Sequence, residues 1–235
     1  MKKILCLIIL CFFMISSVSA WNWQTHKSIV QKIYYSVPRE LQGDLDLELM
    51  EIGSIAPDKD FHDQRLHHYP PSYNKTLFWL NKLEQSLLIK DYENASYAFG
   101  VATHYISDSF VSPHNIKGEN PNDHSKFERQ VSTIQTKCEK NDYELNNSLY
   151  IASQNSKDWE PWLNSKKPEI PQAELEQTMK LIYSVALTEF NTTCNERKTE
   201  FIQEKYNLGN KTKTYLIMIL LIGIIYNIKK IKKEV

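Results

Sequence analysis

Between residues 21 and 206, apolar side chains recur at three- and four-residue steps along much of the chain. That spacing lines them up on one face of an α-helix. Ile29, Val30 and Ile33 predict a helix over 25–35, and Leu77, Leu80, Leu83, Leu87 and Leu88 a second over 77–89. Asp91 is placed to cap a third, which runs to Phe110 with Ala95, Phe99, Ala102 and Ile106 near one stripe. Phe127, Val131 and Ile134 extend the pattern over 125–137. Leu175, Met179, Ile182, Ala186 and Phe190 carry it over 173–206. The stretch 141–171 reads as irregular, with Pro161, Pro168 and Pro171 as breakers. Alternating, strand-like patterns are scarce. The expected fold class is all-α, a single helical domain over 21–206.

The two ends break this pattern. Residues 1–20 combine Lys2 and Lys3 with an apolar run and small residues at Val18-Ser19-Ala20, which reads as a secretory signal peptide cleaved before Trp21. An uncleaved anchor is the alternative. Residues 207–214 form a polar linker, and 215–228 are almost unbroken apolar sequence. At ~1.5 Å per residue that run spans about 21 Å, short of a hydrocarbon core of roughly 30 Å. Flanking lysines can snorkel to absorb such a mismatch. A C-terminal transmembrane anchor is therefore expected, with a basic cytoplasmic tail at 229–235 and the domain outside the cytoplasm of a cell membrane. A soluble amphipathic end is the alternative.

Removing the ends changes the charge. The whole chain carries 28 basic and 28 acidic side chains, but eight of the basic and one of the acidic residues lie in the ends. The remaining domain is net acidic. It has no general attraction for polyanions, so nucleic acid is the less favoured partner. Bound divalent metal would offset the acidity. Of four cysteines, Cys6 and Cys11 fall in the signal peptide. Cys138 and Cys194 remain as a disulfide or as two buried thiols.

The histidines carry the chemistry. His104 and Asp108 stand four residues apart on a predicted helix and project from one face. His124 and Glu128 repeat the spacing, with His114 in the loop between. Such a pair offers two ligands to one ion without bending the backbone, and the mix of imidazole and carboxylate suits zinc. Asp58 and the His67-His68 doublet add candidates upstream. His62 reads as a surface residue.

These pieces resemble the zinc-dependent phospholipase C family, which shares a fold and a three-metal centre with the S1/P1-type nucleases. The matching elements are Trp21-x4-His26, Ile55-Ala-Pro-Asp58, His67-His-Tyr-Pro70, His104-x3-Asp108-x5-His114 and His124-x3-Glu128, in the family's order. The resemblance implies about three zinc ions. Asp58, His67, His104 and Asp108 would hold one, and His114, His124 and Glu128 a second. The α-amine and carbonyl of Trp21, with His26 and the second oxygen of Asp108, would hold a third. His68 is the alternative to His67. Asp58 would also orient the attacking water. The implied activity is hydrolysis of phospholipid head groups by metal-activated water. The bacterial phosphatidylcholine enzymes of this family place aromatic residues where Lys59 and Gln64 stand here, so choline specificity is not expected. A nuclease or nucleotidase of the same fold is the second reading, and a zinc-stabilised surface protein without activity the third.

Overall fold

The structure, a computed structural model, describes residues 23–131 and 133–195. Its elements are helical, and no strand occurs among the described residues. Helix α1 (Trp23–Ser36) is followed by α2 (Arg39–Asp44) and α3 (Leu47–Ala56). A π-turn at Pro57–Phe61 and a 3-10 turn at Gln64–Leu66 lead to α4 (Pro71–Leu88) and α5 (Tyr92–Phe110). After a 3-10 turn at Ser112–Asn115 come α6 (Pro121–Glu128), α7 (Leu145–Ser153), α8 (Trp159–Ser165) and α9 (Glu169–Glu189).

Helix α5 is the axis of the fold. Asp91 caps it as expected, its side chain accepting the Asn94 N–H at 3.1 Å. From Ala98 to Phe110 every residue is buried. A helix buried all round must have neighbours on several sides, and α5 packs against α1, α3, α4, α7 and α9. Its tightest crossing is with α3. A Cβ added at Gly100 would collide with the Met50 carbonyl, and one added at Gly53 with the Tyr97 carbonyl. Glycine at both positions lets the two backbones touch. That contact sets the height of the π-turn beside the last turns of α5.

The helical periodicity misreads the chain after Glu128. Val131 and Ile134 pack on the core, but from irregular backbone rather than from a helix over 125–137. Tertiary partners hold this segment instead. Trp162 Nε1 donates to Gln130 Oε1 at 2.6 Å, and Gln172 Nε2 to the Thr133 carbonyl at 2.8 Å. Cys138 pairs with Cys194 in a disulfide with a Cα–Cα distance of 5.8 Å, so the disulfide is the alternative that the structure adopts.

The prolines mislead in the opposite sense. Pro161 and Pro171 lie in the first turns of α8 and α9, and Pro168 immediately precedes α9. A first turn has no intrahelical partner for its N–H groups, so proline starts helices there rather than breaking them. Helix α9 ends at Glu189, where one helix was expected to run on to 206, and residues 191–195 are irregular. Trp159 and Trp162 are buried and stack at 5.0 Å, Trp79 is half-buried and Trp23 exposed. Among the described residues no helix is long and apolar enough to cross a membrane. The signal peptide, Trp21, the linker, the anchor at 215–228 and the basic tail lie outside the described residues.

The α3–α5 contact leads to a stability contrast. Gly100→Ala should destabilise the protein by about 1–3 kcal/mol through overpacking. Gly43→Ala should be neutral or stabilising by up to about 1 kcal/mol, because Gly43 lies in α2 with open space around its Cα. Urea unfolding of the two variants checks this, and equal stability of Gly100→Ala and wild type would show that the helices have room to separate.

Candidate metal centre

Each side chain of the site is delivered by a separate local device. His26 shares the buried face of α1 with Ile29, Val30 and Ile33. His104 and Asp108 project from one side of α5, one turn apart. Asp58 sits in the π-turn that continues α3, and His67 follows the 3-10 turn Gln64–Leu66. His114 lies in the turn after α5, and His124 and Glu128 are one turn apart on α6. Phe127, beside Glu128, is buried against Trp159 and Trp162, which fixes the face that α6 presents.

Asp108 is the hub. Its Oδ2 lies 2.8 Å from His67 Nδ1, 3.1 Å from His104 Nε2 and 3.6 Å from His114 Nε2. Its Oδ1 lies 3.4 Å from His26 Nε2. Asp58 Oδ1 stands 3.8 Å from His67 Nδ1 and 3.9 Å from His104 Nε2. On the α6 side, Glu128 Oε1 is 3.0 Å from His124 Nε2 and 3.4 Å from His114 Nε2.

The outer ring atoms are tied as well. His104 Nδ1 is 2.8 Å from the Ser54 carbonyl, which can only accept, so Nδ1 carries a proton and Nε2 is the nitrogen turned toward Asp108. The Ser107 hydroxyl donates to the His104 carbonyl at 2.8 Å, which leaves it to accept from His26 Nδ1 at 3.0 Å. His124 Nδ1 faces Glu119 Oε1 at 3.1 Å.

Charge is concentrated here. Burial would raise the Asp108 carboxyl, but His104, His114 and His26 hold it well below the usual range. Burial likewise opposes ionisation of Glu128, yet His114 and His124 hold it at about 2. Burial works against the cation on His104, and Asp108 and Asp58 outweigh it to lift that pKa to about 9. Burial and the neighbouring His104 push His26 down to about 3. Desolvation raises Asp58.

The donor set fits a metal. His67 Nδ1, His104 Nε2 and Asp108 Oδ1 are buried and make no hydrogen bond. The two nitrogens are nonetheless within 3.1 Å of Asp108 Oδ2. Close but misaligned contacts of this kind do not share a proton well. A buried polar atom without a hydrogen bond costs about 1–3 kcal/mol, so native proteins keep such atoms where another partner satisfies them. Ligand atoms gather within 4.8 Å of one another in four overlapping groups: His26-His104-Asp108, Asp58-His67-His104, His67-Asp108-His114 and His114-His124-Glu128. His67, not His68, joins these groups. Successive residues of that turn point apart, which leaves the His68 side chain exposed. His62 is exposed too, its Nδ1 3.1 Å from the Asp58 carbonyl.

The clusters open on a cavity of about 330 Å³ lined by His26, Asp58, Asp108, His114, His124 and Glu128. Gln64, Pro113, Ile116 and Glu119 complete its wall. Lys59 is exposed on the π-turn.

A helical domain that gathers histidines and carboxylates at the floor of an open cavity has the architecture of a metal-dependent enzyme. Over residues 25–184 the chain matches the zinc-dependent phospholipase C family, and it belongs to that family. The family's activity is zinc-dependent hydrolysis of phosphoric esters. No curated protein and no solved structure matches the chain.

Sequence reasoning missed the outer partners. Ser54 acts through its backbone carbonyl, which no motif can reveal. Ser107 and Glu119 carry no spacing signal. Asp63 does carry one: it precedes His67 by four residues, the His/carboxylate interval already seen on α5 and α6.

A further missed residue, Glu174, braces the Ser112–Asn115 turn that carries His114. The Ser112 N–H donates to Glu174 Oε2 at 3.0 Å, and the Ser112 hydroxyl contacts Glu174 Oε1 while donating to the Asn155 carbonyl at 2.7 Å. An ionised Glu174 would leave the two acceptors sharing one hydroxyl hydrogen, whereas a protonated Glu174 can donate to Ser112 and leave that hydrogen to Asn155. Burial pushes Glu174 up to about 8, against the Ser112 hydrogen bonds that lower it. Folding thus retains a proton that the unfolded chain loses near 4.5, and this contribution to stability declines as pH rises from about 4.5 to about 8. Glu174→Gln keeps both contacts without the titration. Thermal unfolding at fixed zinc should show a shallower loss of stability than wild type between roughly pH 6 and 8.5. Parallel profiles would show that Glu174 is already ionised in the fold.

Proposed function

We propose that the chain is a phospholipase C-type phosphodiesterase that hydrolyses phospholipid head groups at this centre. The observation that carries the reading is the double engagement of Asp108, one oxygen toward His26 and the other toward His67, His104 and His114. A closed structural zinc site needs only about four ligands. Here eight side chains converge at an open cavity, a surplus that favours catalysis over a purely structural role.

In this reading Asp58, His67, His104 and Asp108 hold one ion, and His114, His124 and Glu128 another. His26 and the outer oxygen of Asp108 hold a third together with Trp21. Zinc supplies Lewis acidity, lowering the pKa of water toward neutrality and stabilising charge that builds on a phosphate. The protein's own part is positional. Ser54 and Ser107 fix the tautomers of His104 and His26, and Asp58, at the cavity wall, is placed to orient water. Among the described lining residues there is no Phe, Tyr or Trp, so they offer a quaternary ammonium no cation–π cage. The substrate class is therefore a phospholipid phosphodiester without choline preference.

Side-by-side assays on phosphatidylcholine, phosphatidylethanolamine and single-stranded nucleic acid test this. Hydrolysis of both lipids at comparable rates is expected. Cleavage of nucleic acid alone would support the nuclease reading, and full zinc loading without turnover a structural one. Asp108→Asn should lower metal content and cut activity at least 100-fold, whereas Asp142→Asn, an exposed position, should do neither. Equal effects would exclude Asp108 as the hub.

The Trp21 assignment has its own test. A free α-amine has a pKa near 8 and can chelate together with its carbonyl once deprotonated. A protein beginning Met-Trp21, with the methionine retained, should lose one zinc and most activity by elemental analysis and assay. Full metal content and turnover with the extra residue would remove Trp21 from the centre.

A further inference from the structure

His67 differs from the other histidines of the centre in the nitrogen it turns inward. His26, His104, His114 and His124 each approach a carboxylate of the centre through Nε2. His67 does so through Nδ1, 2.8 Å from Asp108 Oδ2 and 3.8 Å from Asp58 Oδ1. Something outside the cluster must hold the ring in that sense. On the outer side, His67 Nε2 lies 3.3 Å from Asp63 Oδ1. The second oxygen of Asp63 accepts the Tyr105 hydroxyl at 2.7 Å and the Lys75 ammonium at 3.2 Å.

We propose that Asp63 is a positioning residue that fixes the proton of His67 on Nε2 and so commits Nδ1 to the metal; this rests on the reading of His67 as a ligand. The three elements that meet at Asp63 make it specific. Lys75 comes from α4, Tyr105 from α5 directly after His104, and Asp63 itself opens the turn that carries His67. Two donors already point at the carboxylate, so toward His67 it can only accept. The ring proton is therefore drawn to Nε2, and the lone pair is left on Nδ1. The buried Nδ1 agrees, since it makes no hydrogen bond despite lying close to Asp108. A proton on Nδ1 would be buried and out of line with Asp108 Oδ2, and so left unshared, whereas one on Nε2 has Asp63 as its acceptor. The Tyr105 ring, edge-on to His67 at 5.7 Å, keeps the imidazole from rotating. Carboxylates that orient a ligating histidine in this way typically change metal affinity by about 10–100-fold when removed.

The test uses the full-length protein with Asp63→Asn, Asp63→Ala and Tyr105→Phe. Zinc affinity is measured by competition with a chromophoric chelator, and the His67 tautomer by nitrogen-15 NMR of the metal-free protein. Wild type should show the Nε2–H tautomer. Both Asp63 variants should lose about 10–100-fold in affinity for one zinc and show mixed tautomers at His67. Tyr105→Phe, which leaves Asp63 in place with one donor fewer, should shift both readouts less and in the same direction. Unchanged affinity and tautomer in variants that only unfold at lower temperature would overturn the proposal, reducing Asp63 to a brace for Lys75. His67→Ala binding zinc as tightly as wild type would instead overturn the ligand reading beneath it.

Discussion

A carboxylate as deeply buried as Asp108 is expensive unless opposite charge or hydrogen bonds surround it. Much of the fold answers that requirement. Helix α5 carries Asp108 through the middle of the domain, so its neighbours supply imidazoles from every open side: His26 from α1, His67 from the turn after α3, and His114 from the turn after α5 itself. The glycine contact between α3 and α5 is the same requirement in backbone form. It brings the Ser54 carbonyl against His104 Nδ1 and places Asp58 opposite the last turns of α5. A side chain at Gly100 would separate the two helices and with them the two halves of the cluster.

What the sequence made legible follows from where information is local. Helical faces and His/carboxylate intervals repeat within one turn, so α1, α4, α5 and the pairs His104/Asp108 and His124/Glu128 were readable directly. The stop of α6 at Glu128 was not, because Val131 and Ile134 pack on the core from irregular backbone as well as they would from a helix. The prolines near α8 and α9 were ambiguous for a related reason: the same residue ends one element and begins another, and only the following turn decides. Among the outer partners of the histidines, the Ser54 carbonyl, the Ser107 hydroxyl and Glu119 leave no spacing, whereas Asp63 stands at a readable interval from His67. The family resemblance already favoured His67 over His68, and the turn buries His67 while leaving His68 exposed.

The cavity wall bears on specificity. Pro113 and Ile116 offer apolar surface, while Gln64 and Glu119 offer hydrogen bonds. Glu119 is also the outer partner of His124. In the proposed reading, a head group that reached Glu119 would touch the residue that orients His124, so recognition and ligand geometry would meet at one carboxylate.

Two kinds of cross-link divide the chain between them. The histidines and carboxylates of the centre draw together residues 26 to 128, and the disulfide closes residues 138 to 194. With zinc held as proposed, the first set of ties would last as long as the ion is present, and the second as long as the surroundings stay oxidising. A chelator and a reductant would thus loosen different stretches of one polypeptide, and α5 and α9, each packed on the other, are where loss of either tie would be felt by the other half.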